Sequence, residues 1–318
     1  MTWFDKNIYW ETSAVNYMAD QFEWNDAVAT KGLQAVKRNR YYISPVTIWE
    51  ILLTGDDSKK EQIIFYSQHL FHDKLINFPS EFILNFIRQG CPLYETKYDF
   101  HSKLPMAKTW ENLCNDTRLT FIYEKDILKE KSKIIQDTSK QLNKIINRIV
   151  LDLDTDDLEY QYQQLLDRYH KRFRDIKRRT DKVAIKIQKI TMLFMFFILC
   201  LEVELDNTAI REFWRQRSIN GTFDRLDYLL HNYKILVHRG PFAEMALMAY
   251  TQISEGMKSN RGLFFDCLHC IYLPYIDFFV TRDDHFRKLR DNSDHILFTR
   301  IVHMDEIQVV THKRKVVK

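Results

Sequence analysis

The stretch Arg261-Gly-Leu-Phe-Phe-Asp266-Cys-Leu-His269-Cys-Ile-Tyr-Leu-Pro-Tyr-Ile-Asp277-Phe-Phe-Val-Thr281-Arg-Asp283-Asp284-His285-Phe286 decides how this chain folds on paper. It puts one acid early in an apolar helical run. It puts two more just past a short run of strand formers, Asp277 to Thr281. Carboxylates at strand ends and helix starts, facing one cleft, are how a protein holds a divalent metal. The other ligands must then come from elsewhere in the chain.

Working outward, residues 242–256 predict a helix upstream of that stretch. Downstream, Asp294-His-Ile-Leu-Phe-Thr299 predicts a last strand, and Lys313-Arg-Lys315 closes a basic tail. At the other end of the chain, Asn7-Ile-Tyr-Trp-Glu11 reads as a short buried strand. Thr12 or Ser13 then caps a helix to about Asp20. Residues 24–40 give a second helical pattern ending in Lys37-Arg-Asn-Arg40, cations suited to a helix C-terminus. Tyr41-Tyr-Ile43 is the second strand. Ser44-Pro45 is a helix-start signal, an N-cap followed by proline at the first helical position. That helix runs to Leu53 and carries Glu50 in an apolar setting. A third helix covers about 59–71, residues 74–78 suggest a strand, and Pro79-Ser80-Glu81 opens a helix to Gly90. Strand and helix alternate, which points to a parallel α/β sheet.

Between about 95 and 237 the strand signal fades. Ile127, Ile134, Thr138, Leu142, Ile145 and Ile149 recur mostly at helical spacing. Tyr169, Phe173, Ile176, Thr180, Val183, Ile187 and Ile190 recur without a break. These predict two long amphipathic helices in an antiparallel hairpin. The link between them, Asp152-Leu-Asp154-Thr-Asp156-Asp157, fails as a calcium loop. Asp157 stands where glycine is needed and Gln163 where glutamate is needed, so it reads as a solvated turn. The expected organisation is an α/β domain over 1–94 and 239–318, split by a helical insertion over 95–238.

Composition bounds the function. The 318 residues are 45% hydrophobic and 28% charged, ordinary values for a globular protein, and hold only 7 Gly and 6 Pro. So few turn residues argue against an all-β fold. The 5 Cys show no regular spacing, which speaks against a secreted disulfide framework and for a reducing, cytoplasmic setting. No signal peptide is expected, and the longest apolar run, Met192–Leu201, is too short to span a membrane and reads as a buried helix. Composition leaves a homo-oligomer open.

Four acids fall where a parallel sheet presents its functional edge. Glu11 ends the first strand, Glu50 sits in the helix after the second, Asp266 begins a late helix, and Asp283 follows a late strand with Asp284 beside it. Four carboxylates together repel unless cations lie between them. Mg²⁺ or Mn²⁺ takes oxygen ligands and binds phosphate, so phosphodiester hydrolysis by metal-activated water is the natural chemistry. Cys267, His269 and Cys270 are too tightly spaced for a zinc half-site and read as packing. His285 could touch a scissile phosphate, though a surface histidine is the commoner case.

At these residues the chain resembles the PIN-domain nucleases, a family that includes VapC-type toxins. The likeness rests on Ile8-Tyr-Trp-Glu11-Thr-Ser13-Ala-Val-Asn16, Ile43-Ser44-Pro-Val-Thr47-Ile-Trp-Glu50-Ile-Leu, Phe265-Asp266-Cys-Leu-His-Cys-Ile-Tyr and Phe279-Val-Thr281-Arg-Asp283-Asp284-His-Phe286. The resemblance implies a PIN-like parallel sheet flanked by helices. It implies metal-dependent cleavage of RNA, less often DNA, leaving a 5′-phosphate, in a toxin or phage-defence role. Glu50, Asp266 and Asp283 match the metal-site acids, with Ser13 and Thr281 in support and Asp284 and His285 beside them. Glu11 departs from the usual Asp, and its extra methylene extends the carboxylate by ~1.3 Å. That leaves either a shifted metal geometry or a weakened site, hence a non-catalytic scaffold as the competing expectation, with a DNA nuclease as a third.

Arg168 to Lys189 holds ten Lys/Arg against two Asp. Lys171, Arg172, Arg174, Lys177, Arg178, Arg179 and Lys182 fall on its outer face. Such a face suits the phosphate backbone of RNA, and an acidic inhibitor or assembly partner protein would satisfy it equally.

Overall fold

Asn7-Ile-Tyr-Trp joins β-branched and aromatic residues in one run and forms β1 (Asn7–Trp10), buried along its whole length. A strand covered on both faces reads as continuously apolar, the signature of a parallel sheet. In the computed structural model, residues 6–21, 40–52, 56–71, 76, 79, 125–153, 182–204, 208–221, 224–225, 227–228, 243–254, 261–292 and 297–306 are described. Around β1 stand β2 (Arg40–Tyr42), β3 (Phe278–Thr281) and β4 (Ile301–His303), in the order β2-β1-β3-β4. Every pair is parallel, with Tyr9 opposite Tyr42 and Phe279, and Thr281 opposite His303.

The chain leaves β1 toward β2 on one side and later returns as β3 on the other. That makes the β1–β3 boundary a topological switch point, where the crevice beyond the strand ends opens. The amide of Glu11 extends the β1–β3 ladder by donating to Val280 O at 3.0 Å. The residues just past both strands are thereby held side by side.

The described helices are α1 (Thr12–Gln21), α2 (Pro45–Leu52), α3 (Asp57–Phe71), α4 (Lys125–Leu151), α5 (Lys182–Glu204), α6 (Thr208–Arg215), α7 (Ala243–Ser254), α8 (Arg261–Cys270) and α9 (Asp284–Asn292). Helix α8 packs against α2, α4 and α7, and α5 lies on α4 and α7. The middle of the chain therefore braces the helix that carries Asp266. Phe194 of α5 stacks on Phe264 of α8 with centroids 6.5 Å apart. Tyr9 sits among Tyr272 and Phe279, and Phe279 meets Phe286 of α9 at 4.8 Å. Full burial of such a ring stabilises by roughly 1.5–3 kcal/mol. Among the described residues no helix is long and apolar enough to cross a membrane.

The helix α4 and the helical start after Ser44 follow the expectation. Several elements differ. The late strand lies at Ile301–His303, not 294–299. Residues 293–296 lie outside the described residues, and Phe298–Arg300 is a 3₁₀ turn. Phe298 spends its apolar character on the core, while Arg300 Nη1 donates back to the carbonyls of Leu273, Pro274 and Ile276. Arg40 opens β2 instead of closing a helix, and residues 22–39 lie outside the described set. The strand expected at 74–78 is described only at Ile76, whose N–H donates to Ile43 O at 2.9 Å. Of the helix from Pro79, only Pro79 is described. Of the second long helix, only Lys182 onward is described, and α5 continues through the whole Met192–Leu201 run.

The end of α4 lies against the start of α5, while residues 154–181, where the turn of the expected hairpin falls, lie outside the described residues. Asp152 adopts φ 53°, a left-handed conformation that aspartate tolerates better than most residues. Lys186 Nζ donates to Val150 O and to Asp152, each at 2.7 Å.

Candidate functional site

Glu11 follows β1 and caps α1. Its Oε1 accepts the Ser13 N–H at 2.8 Å, and its Oε2 accepts from the Ser13 hydroxyl and, at 2.9 Å, from the Thr281 hydroxyl. Ser13 Oγ in turn accepts the Arg282 N–H, and Thr281 Oγ1 accepts the Asp283 N–H, both at 2.9 Å. These bonds knit the start of α1 to the loop after β3. Burial, more than any other influence, pushes Glu11 up to about 7; His269 opposes the rise, Glu50 adds to it, and Ser13 opposes it.

Glu50 projects from α2 toward the same edge. Its Oε2 accepts from the Thr12 hydroxyl and lies 2.7 Å from Nε2 of His269. His269 is fully buried, and its Nδ1 lies 2.5 Å from the Tyr9 hydroxyl, which meets Ser44 Oγ at 2.6 Å. Burial pushes the Tyr9 phenol well up, so it keeps its proton.

Asp283 caps α9 by accepting the His285 N–H at 2.8 Å. An acid at that position also suits the positive end of the helix. His285 Nδ1 lies 3.4 Å from the Asp283 carboxylate. Facing them is Asp266, only 7% exposed. Among the described residues no hydrogen-bond donor and no cation reaches its carboxylate. Its pKa is pushed well up, by burial first and then by Asp283, Glu50 and Glu11.

The structure thus brings all four expected acids to one edge, but as two groups. Glu11, Glu50 and His269 form one, and Asp266, Asp283 and His285 the other, with ligand atoms of each group within 4.8 Å of one another. Asp266 lies midway along α8, not at its start. Ser13 and Thr281 hold Glu11. Asp284 is exposed, pairs with Arg287 at 2.6 Å and lies 3.8 Å from Nε2 of His303, outside both groups. Of the expected basic face, Lys182 is exposed at the start of α5, whereas Lys171, Arg172, Arg174, Lys177, Arg178 and Arg179 lie outside the described residues.

His269 corrects an expectation. Cys267 and Cys270 are buried, stand outside any disulfide and pack, but His269 between them joins the site. Tyr9 joins the site as well, and so do Thr12 and Ser44, of which the sequence predicts only capping. A signal existed: His269 lies three residues after Asp266, on the same helical face. A buried tyrosine hydroxyl also demands a partner.

Oxygen donors with an imidazole among them suit Mg²⁺ less than Mn²⁺, and both more than a soft ion. Asp266 is the fit test. A buried, unpartnered carboxylate surrounded by like charges is relieved by a cation, and no protein cation supplies one among the described residues. Comparison with protein-family models, with characterised proteins and with solved structures finds no match for this chain.

Proposed function

We propose that this chain is a divalent-metal-dependent nuclease acting on RNA from a PIN-like core. The observation that carries the reading is Asp266, a buried carboxylate that no donor or cation reaches among the described residues and that faces Asp283 and His285. Glu50, Asp266 and Asp283 would hold the ion. A bound divalent ion supplies Lewis-acid polarisation of a phosphoryl oxygen and activation of water. The protein supplies the frame. Asp283 is fixed by capping α9, Asp266 by the packing of α8, and Glu50 by the donors that meet its Oε2. RNA as substrate, and Mg²⁺ or Mn²⁺ as the ion, rest on the resemblance of the four acid-bearing blocks to PIN-domain nucleases.

One observation favours a second reading, a non-catalytic scaffold. The three hydrogen bonds to Glu11 engage both of its oxygens, so it serves the frame more than an ion. Cleavage of mixed-sequence single-stranded RNA in Mn²⁺ separates the two, with Asp266→Asn beside the wild type and single-stranded DNA as competitor. The nuclease reading expects cleavage by the wild type and a loss of about 100-fold or more in the variant. Equal behaviour of two well-folded proteins rejects it, and DNA cleaved in preference moves the substrate class.

A further inference from the structure

We infer that His269 is a positioning residue that fixes the Glu50 carboxylate for ion binding, and that Tyr9 and Ser44 set the orientation of its ring. The inference rests on the metal reading above. His269 could itself be taken for a ligand, since it falls within 4.8 Å of Glu11 and Glu50. Its bonds argue otherwise. Both ring nitrogens are engaged inside the protein, Nδ1 with Tyr9 and Nε2 with Glu50, and the ring has no exposed surface.

The proton count gives the direction. A carboxylate only accepts, so Nε2 must carry the hydrogen it shares with Glu50. In neutral imidazole, Nδ1 is then bare and accepts the Tyr9 O–H, whose oxygen is free to accept from Ser44. In imidazolium, the Tyr9–Ser44 leg reverses and Nε2–H still donates to Glu50. The hold on Glu50 is the same in both states, so it needs no change of protonation. Second-layer donors of this kind orient ligating carboxylates and raise metal affinity.

The placement on α8 adds a second consequence. Asp266 and His269 share one face of one helix. His269 therefore ties Glu50, a residue of α2, to the same rigid element that carries Asp266. The spacing between the two acids is set through the histidine.

The test is Mn²⁺ affinity of the full chain, measured by calorimetry or by the free-ion resonance signal, with no substrate present. His269→Phe keeps a buried ring but removes the donor, and is expected to weaken Mn²⁺ binding ~10–100-fold. His269→Gln can place an amide N–H where Nε2 stands, and is expected to stay within about threefold of the wild type. His269→Asn reaches only toward the Nδ1 side and is expected to behave like the Phe variant. Tyr9→Phe removes the orienting hydroxyl and is expected to fall between. If His269→Phe does not fold, Gln against Asn carries the same comparison. Rescue by Gln alone supports positioning. Equal affinity in every variant overturns it, and so does equal weakening by Gln and Asn, which marks a space-filling role. A wild type that binds no Mn²⁺ removes the metal reading itself, and this inference with it.

Discussion

Glu11 and Asp266 are both buried carboxylates on one sheet edge, and the protein treats them in opposite ways. Glu11 accepts three hydrogen bonds, caps α1 and joins β1 to the loop after β3. Asp266 accepts none from the described residues, and burial first, then Asp283, Glu50 and Glu11, raises its pKa. The first acid is part of the frame and is costly to remove. The second burdens the metal-free fold. A position that destabilises the bare protein is where bound charge has the most to gain.

The largest effect expected from breaking this contrast is at Glu11. Glu11→Ala strips the α1 cap and leaves the hydroxyls of Ser13 and Thr281 without their acceptor. Cap loss and orphaned donors together should cost about 3 kcal/mol in urea unfolding near pH 6. A loss below ~1 kcal/mol would mean that Glu11 is not part of the frame.

Next comes the pH dependence of the metal-free chain. Glu11 titrates at 4.5 when unperturbed and at about 7 when folded. Between those values the folded state holds a proton that the unfolded state has released. Stability therefore falls as pH rises from 4.5 toward 7 and levels off above it, by up to ~3 kcal/mol. Asp266, also raised, acts in the same direction. Unfolding at pH 5 and pH 8 in chelator measures the fall. Saturating Mn²⁺ should flatten it, because a nearby cation favours the ionised acids. A chain more stable at pH 8 than at pH 5 without metal would contradict the burial of both groups.

How far the sequence carried these residues depends on the reach of each signal. β1, the helical start at Ser44-Pro45 and the strand that ends at Thr281 are written in local patterns, namely apolar runs, a cap and a proline. All three stand in the structure where those patterns put them. The four acids were legible because strand ends and helix starts recur at one edge of a parallel sheet. The partnership of His269 with Glu50 was not, since 219 residues separate them and no local period records the pairing. The extra methylene of Glu11 predicts a carboxylate set further out, whereas the free N–H groups of the first helical turn lie closer and the Ser13 N–H donates to it. At β4, Phe298 looked like a strand residue because an apolar ring in a 3₁₀ turn and one in a strand look alike in sequence.

Asp266→Asn should sharpen the contrast from the other side. Replacing a buried charge with a neutral shape of similar size should stabilise the metal-free chain by about 1–3 kcal/mol at pH 8. The same change should abolish stabilisation by Mn²⁺, which for the wild type reaches ~2.7 kcal/mol at a hundred times the dissociation constant. Melting in chelator and in Mn²⁺ reads both effects. A variant that melts lower than the wild type in chelator would mean that Asp266 has a partner after all.

The smallest effect belongs to Arg282, on the loop that joins the two treatments. Its backbone N–H donates to Ser13 Oγ and belongs to the frame, while its exposed guanidinium lies 4.1 Å above the Tyr17 ring. That holds a positive charge beside Asp283 without pairing it to the acids. Arg282→Ala leaves the backbone bond intact and removes only the charge. Single-stranded RNA should then bind a few-fold more weakly, with the slope of log affinity against log salt shallower by about 0.7, the value of one phosphate contact. Mn²⁺ affinity should not move, because the guanidinium touches neither group of acids. A changed Mn²⁺ affinity would place Arg282 within the ion's field. The division between a hydrogen-bonded frame and an open acid would then have to be redrawn to include this loop.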